Sequence, residues 1–274
     1  MKKAFTVLVF LAFLGAPAIL FSQAGNLGDD FSKIGNNPEK GRFLKIRGID
    51  IYYESYGKGK PMLLIHGNGG SIGSMAGQVP YFSKNYHVIA ADSRSQGKSA
   101  DPSDSLSYEM MADDMNALLE SLHLDSAYVI GWSDGGIIGL LLAIRHPEKV
   151  KRMAITGANI RPDTSALSNA EFQGMIQQVK QLKQQKQSPD IKNQIKLTQL
   201  MIDQPDISHK ALYSIKCPIL VIGGDHDVIK PSHTLEIYQS VSKGLLWILP
   251  GSGHGTLIQF KDDFNEQVGR FFNR

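Results

Sequence analysis

Three short segments carry side chains able to perform nucleophilic acyl transfer. Gly131-x-Ser133-x-Gly135 stands between a four-residue apolar run, Ala127 to Ile130, and a longer one, Ile137 to Ile144. A serine flanked by glycines at a strand-to-helix turn can be held with its hydroxyl exposed, because backbones approach there too closely for larger neighbours. An alcohol is a weak nucleophile at neutral pH, so it needs a base, and the base needs an acid to orient it. Gly223-Gly224-Asp225-His226-Asp227 and Gly251-Ser252-Gly253-His254-Gly255 each follow a strand-like run downstream. They supply the missing groups in the order Ser, Asp, His. Ser133 is read as the nucleophile, His254 as the base and Asp227, deeper in its loop, as the acid. Asp225 is the competitor for that last role, and His226 is read as an exposed loop residue.

Attack on a carboxylic ester builds negative charge on the carbonyl oxygen, which calls for two backbone N–H donors. Asp134 N–H, just past the nucleophile, is expected to be one. The other is expected from His66-Gly67-Asn68-Gly69-Gly70, with Asn68 N–H preferred and Gly69 N–H as the alternative. The helix that opens after Ser133 directs its first amides toward the same charge. The glycine-rich loop lacks the Gly-Lys-Ser/Thr ending of a P-loop, which argues against nucleotide binding. His66 is expected to shape the loop through hydrogen bonds. No metalloprotease or calcium-loop spacing occurs, so neither a metal nor a cofactor is expected. Cys217 is the sole cysteine; with no base beside it, it reads as a core thiol rather than a nucleophile.

The elements around these segments follow from apolar periodicity. Phe43–Ile46 and Ile49–Tyr53 read as strands joined around Gly48, and Met62–Ile65, Val88–Ala91, Ala127–Ile130, Val150–Ile155, Pro218–Ile222 and Leu245–Leu249 as further strands. Met111, Met115, Leu118, Leu119 and Leu122 recur at helical spacing behind the capping residue Ser107. Helices are also expected over Ile137–Ile144, Pro231–Val241 and Leu257–Phe272. Asn169 to Ser208 is Gln- and Lys-rich with a ragged apolar face, predicting two or three amphipathic helices. Strands alternating with helices make an α/β protein with a mostly parallel sheet covered on both faces.

The chain has 274 residues, 42% of them hydrophobic and 20% charged, which suits one globular domain and not a disordered or coiled-coil chain. Its net charge of +3 includes Lys2 and Lys3, and without them it is about +1, too little to expect a nucleic-acid partner. Those lysines open a secretory pattern: a positive start, an apolar run from Ala4 to Phe21, and Ser22-Gln23-Ala24 as a cleavage site before Gly25. Cleavage would leave an exported protein, periplasmic or secreted, with no stable membrane association; the alternative is an uncleaved anchor. The oligomeric state is left open.

Taken together, the motifs make the chain resemble the α/β-hydrolase fold family, serine hydrolase branch, from about Phe43 to the C-terminus. Asp92-Ser93-Arg94-Ser95-Gln96-Gly97-Lys98-Ser99 also resembles the family's Asp-x-Arg-Gly-x-Gly-x-Ser loop, with Ser95 in place of the usual glycine. The secretory pattern gives a signal peptide over 1–24 and the Gly-, Asn-, Asp- and Ser-rich composition an irregular leader over 25–41, while the resemblance implies a hydrolase core over 42–160 and 211–274 and a helical cap over 161–210. It implies an enzyme cleaving carboxylic esters of small molecules through an acyl-enzyme. Trp132-Ser133-Asp134-Gly135-Gly136-Ile137 and Ile155-Thr156-Gly157-Ala158-Asn159 are similar to the biphenyl-hydrolase-like branch, the valacyclovir hydrolases. That likeness implies an alternative, an aminoacyl-ester hydrolase or aminopeptidase-like enzyme in which Asp134 binds the substrate ammonium. A C–C bond hydrolase, a cofactor-free haloperoxidase and a non-catalytic binding protein are the remaining readings.

Overall fold

The computed structural model describes residues 31–274. The signal peptide expected over 1–24, and the leader as far as residue 30, lie outside the described residues. Eight strands form one sheet: β1 (Gly41–Ile46), β2 (Ile49–Tyr56), β3 (Lys60–Ile65), β4 (Tyr86–Ala91), β5 (Ala127–Trp132), β6 (Val150–Thr156), β7 (Ile219–Gly224) and β8 (Gly244–Leu249). Their order is β1-β2-β4-β3-β5-β6-β7-β8. β1 pairs antiparallel with β2, and β2 with β4; every other pairing is parallel. From β3 the chain first moves to one side, into β4, and then crosses to the other, into β5. The carboxyl ends of β3 and β5 therefore face the crevice where the winding reverses, the position at which open α/β sheets bind ligands.

The helices are α1 (Val79–Phe82), α2 (Tyr108–Ser121), α3 (Asp134–Arg145), α4 (Asn169–Gln184), α5 (Pro189–Asp203), α6 (His209–Tyr213), α7 (Pro231–Ser240), α8 (Thr256–Gln259) and α9 (Lys261–Phe272). Alternate residues of the central strands serve opposite layers. Leu63, Ile65, Val129 and Ile155 pack under α2, α3 and α7, whereas Met62, Leu64, Ile130 and Ala154 pack under α1 and α9. Both sides of each strand are buried, which is why those strands read as unbroken apolar runs. Each such Leu or Ile stabilises the fold by roughly 1.5–3 kcal/mol. Ser107 does cap α2, its Oγ accepting from Met110 N at 3.1 Å.

Some boundaries differ from expectation. β5 runs two residues further, so that Gly131 and Trp132 are still strand when Ser133 is reached. The single C-terminal helix is broken in two at Phe260, whose backbone (φ −119°, ψ 44°) is not helical. The end of the leader is fastened by the buried Glu54 carboxylate, which accepts from Gly35 N at 2.7 Å and Asn37 N at 2.8 Å. Among the described residues, no helix is long and apolar enough to cross a membrane.

The loop after β4 contains a conformational misfit. Ser95 sits at φ +66°, and its buried Oγ has no hydrogen-bond partner. The left-handed region costs an L-residue roughly 1–2 kcal/mol that glycine avoids, less the extra freedom glycine has in the unfolded chain. Ser95→Gly is therefore expected to stabilise the protein by about 1 kcal/mol, raising Tm by roughly 2–4 °C for a domain of this size. Thermal unfolding monitored by circular dichroism checks this; a lowered Tm would mean the hydroxyl contributes more than the backbone strain costs.

Candidate active site

Ser133 follows the last residue of β5 and precedes α3, with φ 55° and ψ −120°. A non-glycine residue in this region carries strain of order 1–3 kcal/mol, held only by its surroundings. Here the surroundings are backbone. Ser133 N–H donates to Thr156 O at 2.8 Å. A Cβ at Gly131 would lie 2.3 Å from Gly135 O, and one at Gly135 would lie 2.1 Å from Ile65 O. Both glycines are thus required by the close approach of β5, α3 and the end of β3.

The acid and histidine loops meet this serine. His254 Nε2 lies 2.9 Å from Ser133 Oγ, and His254 Nδ1 lies 2.7 Å from Asp227 Oδ1. The Asp227 side chain is wholly buried and that of His254 is 23% exposed. With a carboxylate at Nδ1, the ring's proton belongs there, and the Nε2 lone pair faces the serine hydroxyl. Ile229 N–H also donates to Asp227 Oδ1 at 3.0 Å, and Trp132 Nε1–H donates to His254 O at 2.9 Å, holding both loops. Asp225 faces elsewhere. Its Oδ1 pairs with His226 Nδ1 at 2.7 Å and accepts from Ser252 N at 3.2 Å, on the exposed side of the loop. The His226 bond holds its carboxyl below the usual range.

Gly157, after β6, makes room for the imidazole. It has φ +64°, and a Cβ there would lie 2.7 Å from His254 Cε1. Sequence reasoning gave Gly157 no such role, because the contact joins segments nearly a hundred residues apart.

The loop after β3 passes over Ser133: a Cβ on Gly67 would lie 3.1 Å from Ser133 Cβ. His66 is fully buried and shapes the loop as expected. Its Nε2 accepts from Ser93 N–H at 3.0 Å, so its Nδ1–H donates to Gly67 O at 2.7 Å. Burial lowers its pKa and keeps the ring neutral. Gly69 N–H is occupied, donating to Gln96 Oε1 at 2.6 Å. Among the described residues, the backbone N–H groups of Asn68 and Asp134 have no protein acceptor. Gln96 was not singled out from the sequence, and nothing local to it signals this contact.

Asp134 is 3% exposed. Asn68 Nδ2–H donates to its Oδ2 at 2.8 Å, and the buried Tyr108 hydroxyl faces the same carboxylate. Burial raises its pKa to about 6, against the opposing pull of these donors and of His254. Above the site lie the helices between β6 and β7. Asn68 Nδ2 also reaches Leu197 O of α5 at 3.3 Å, and Asn193 Nδ2 of α5 donates to Ser95 O at 2.7 Å. Met175 of α4 packs with Leu167, Val228 and Ile229, next to Asp227. Cys217 is buried at the foot of β7, and burial pushes its thiol up to about 11, far from a reactive thiolate. Among the described residues, no group of three or more His, Cys, Asp or Glu side chains is placed to hold a metal ion.

Comparison with known proteins agrees with this architecture. Residues 60–181 match the family model described as alpha/beta hydrolase fold. The chain is 25% identical over 263 residues to 2-hydroxy-6-oxo-6-(2'-aminophenyl)hexa-2,4-dienoic acid hydrolase of Metapseudomonas resinovorans, spanning 85% of this chain and 91% of that enzyme. It is 26% identical over 257 residues to the serine hydrolase BPHL of Mus musculus, spanning 83% and 84% of the two chains. Among solved structures, the enol-lactonase from Burkholderia xenovorans LB400 superposes with a TM-score of 0.74 at 20% identity, covering 85% of this chain and all of that one. The sheet order, the covering helices and the helical cap region are those of the α/β-hydrolase fold.

Proposed function

We propose that this chain, which has the α/β-hydrolase fold and hydrolases of that superfamily as relatives, is a serine hydrolase that cleaves carboxylic esters of small molecules. The observation that carries the reading is the continuous series Asp227 Oδ1, His254 Nδ1, His254 Nε2, Ser133 Oγ, with links of 2.7 Å and 2.9 Å. His254 takes the Ser133 proton as Oγ attacks the ester carbonyl, and Asp227 holds the imidazole and stabilises its protonated form. The tetrahedral oxyanion faces Asn68 N–H and Asp134 N–H, with Gly69 N–H excluded by its bond to Gln96. The protonated histidine returns its proton to the departing alcohol. Water, deprotonated by the same histidine, then releases the acid from the acyl-enzyme. The strained Ser133 backbone and the fixed glycine turns preorganise this geometry before substrate arrives.

The aminoacyl-ester alternative requires Asp134 to meet an ammonium. Its carboxylate is instead turned inward onto Asn68 and Tyr108 and is almost inaccessible, which favours the plain ester reading. Export through residues 1–24 belongs to the same proposal and places the enzyme in the periplasm or outside the cell.

A fluorophosphonate probe is expected to label Ser133 stoichiometrically, located by peptide mass spectrometry. Ser133→Ala is expected to abolish labelling and lower kcat on a p-nitrophenyl ester by about 10⁴-fold or more. A folded protein that stays unlabelled, with Ser133→Ala as active as the parent, would remove the reading.

A further inference from the structure

We infer that the Asp134 carboxylate is a positioning group that fastens the oxyanion loop through Asn68. One residue would then supply one backbone donor of the oxyanion hole and hold the residue that supplies the other. The inference rests on the reading of Ser133 as nucleophile given above.

The loop needs such a fastening. Gly67, Gly69 and Gly70 leave its backbone with little intrinsic preference, and Gly69 sits at φ +65° with nothing within 4 Å of its Cβ position. Its shape is set by a few contacts. His66 holds its start through Ser93, and Gln96 Oε1 holds Gly69 N–H at 2.6 Å. Between these two points stands Asn68, whose backbone amide is the donor that counts. Its side chain is anchored by the 2.8 Å bond from Nδ2 to Asp134 Oδ2. Asp134 is itself packed in place, being the first residue of α3 and 3% exposed, with Tyr108 of α2 facing the same carboxylate. The bond therefore spans the two backbone donors side chain to side chain.

The chemistry of the carboxylate supports the assignment. A buried carboxylate with no cationic partner carries a desolvation penalty that packing alone does not reward. Among the described residues, no Lys or Arg forms an ion pair with Asp134, whose carboxylate accepts from a neutral amide and faces a phenol. A charged acceptor makes its bond to Asn68 about twice as strong as a neutral one would be. Transition-state stabilisation by the hole depends on donors fixed within tenths of an ångström, so a firm anchor at Asn68 acts on kcat rather than on substrate binding.

The test compares kcat and KM for an alanyl ester and for the matching acyl ester without an amino group. It uses Asp134→Ala, Asp134→Asn, Asn68→Ala and the Asn68→Ala/Asp134→Ala double variant, with a trifluoromethyl ketone as a mimic of the tetrahedral oxyanion. Asp134→Ala and Asn68→Ala are each expected to lower kcat by about 10–100-fold on both esters, with KM within about threefold; this is less than outright loss of one oxyanion donor. Because both remove the same bond, the double variant is expected to be no worse than the weaker single variant. The trifluoromethyl ketone should lose affinity by the factor lost in kcat/KM. Asp134→Asn keeps an acceptor toward Asn68 and should lose less than Asp134→Ala on both esters.

Loss confined to the alanyl ester would overturn the inference and make Asp134 an ammonium site. Multiplying losses in the double variant, or unchanged affinity for the trifluoromethyl ketone, would overturn it as well. If Asp134→Ala does not fold, Asn68→Ala and Asp134→Asn carry the same comparison. Failure of the underlying reading looks different: the parent protein would then lack fluorophosphonate labelling at Ser133. Labelled parent protein with full kcat in Asn68→Ala sinks only the positioning role.

Discussion

Asp227→Asn is expected to lower kcat by about four orders of magnitude while leaving the protein folded. The reason is tautomeric. Asp227 Oδ1 accepts from His254 Nδ1 at 2.7 Å, which leaves the Nε2 lone pair 2.9 Å from Ser133 Oγ. Asparagine is nearly the same size, but its amide can present N–H to Nδ1, which places the ring proton on Nε2. A protonated Nε2 in a neutral ring cannot accept the serine proton, and the nucleophile is left inactive. The carboxylate's stabilisation of the imidazolium is lost as well. Asp225→Asn alters bonds to the exposed His226 ring and to the backbone amides of Gly251 and Ser252, none of them to His254, so kcat is expected to stay within about tenfold of the parent by comparison with the acid's much larger effect. Steady-state kinetics on one chromogenic ester, with circular dichroism as a folding control, measures both. The reverse ranking would transfer the acid role to Asp225.

That comparison also marks how far the residues were readable before the fold was known. Ser133, His254 and the two aspartates each sit in a short glycine-rich segment after an apolar run. A strand end is a local feature, so the motif and its setting appear together in the sequence. Which aspartate faces the histidine is not local. Two residues apart in one loop, they differ in whether the carboxylate meets the His254 ring or meets the Ser252 amide and the exposed His226. Depth in the loop favoured Asp227, and the 2.7 Å contact is of that residue. The oxyanion loop was legible as a glycine-rich turn after β3. The bond that occupies Gly69 N–H was not, because it depends on Gln96 arriving from the loop after β4. The inward turn of Asp134 depends in the same way on Tyr108, which its own sequence neighbours present only as a helix start.

The helices over the site show a similar division. Their apolar spacing was strong enough to give α4 and α5, since amphipathic periodicity survives in Gln- and Lys-rich sequence. Where they dock was not, because the anchoring groups are single polar atoms, such as Asn193 Nδ2 on Ser95 O. The break at Phe260 was also missed. Leu257, Phe264, Val268 and Phe271 all face the same core layer, so the apolar pattern continues across a point at which the backbone does not.

Gly157→Ala is expected to lower kcat by about 100-fold or more, the order that misplacement of a catalytic group by an ångström costs. The added methyl would lie 2.7 Å from His254 Cε1 and 2.9 Å from its Nδ1, inside van der Waals contact. Retreat of the methyl is blocked, because Gly157 N–H is tied to Ile222 O at 3.2 Å and the residue lies directly beyond β6. The imidazole is the part that can move, and its displacement breaks the bonds to Ser133 and Asp227 together. Alanine at φ +64° also costs roughly 1–2 kcal/mol of backbone strain, and the two effects can be separated. Gly48 has φ +90° with nothing within 4 Å of its Cβ position, in the remote turn between β1 and β2. Gly48→Ala should therefore show a comparable drop in Tm with kcat unchanged, whereas Gly157→Ala should lose both stability and turnover, with fluorophosphonate labelling slowed by the same factor as kcat/KM. Equal activity in the two variants would mean that His254 has another place to stand. The glycine after β6 would then matter for its backbone alone, and the position of the base would owe more to Asp227 and Trp132 than to the space left for it.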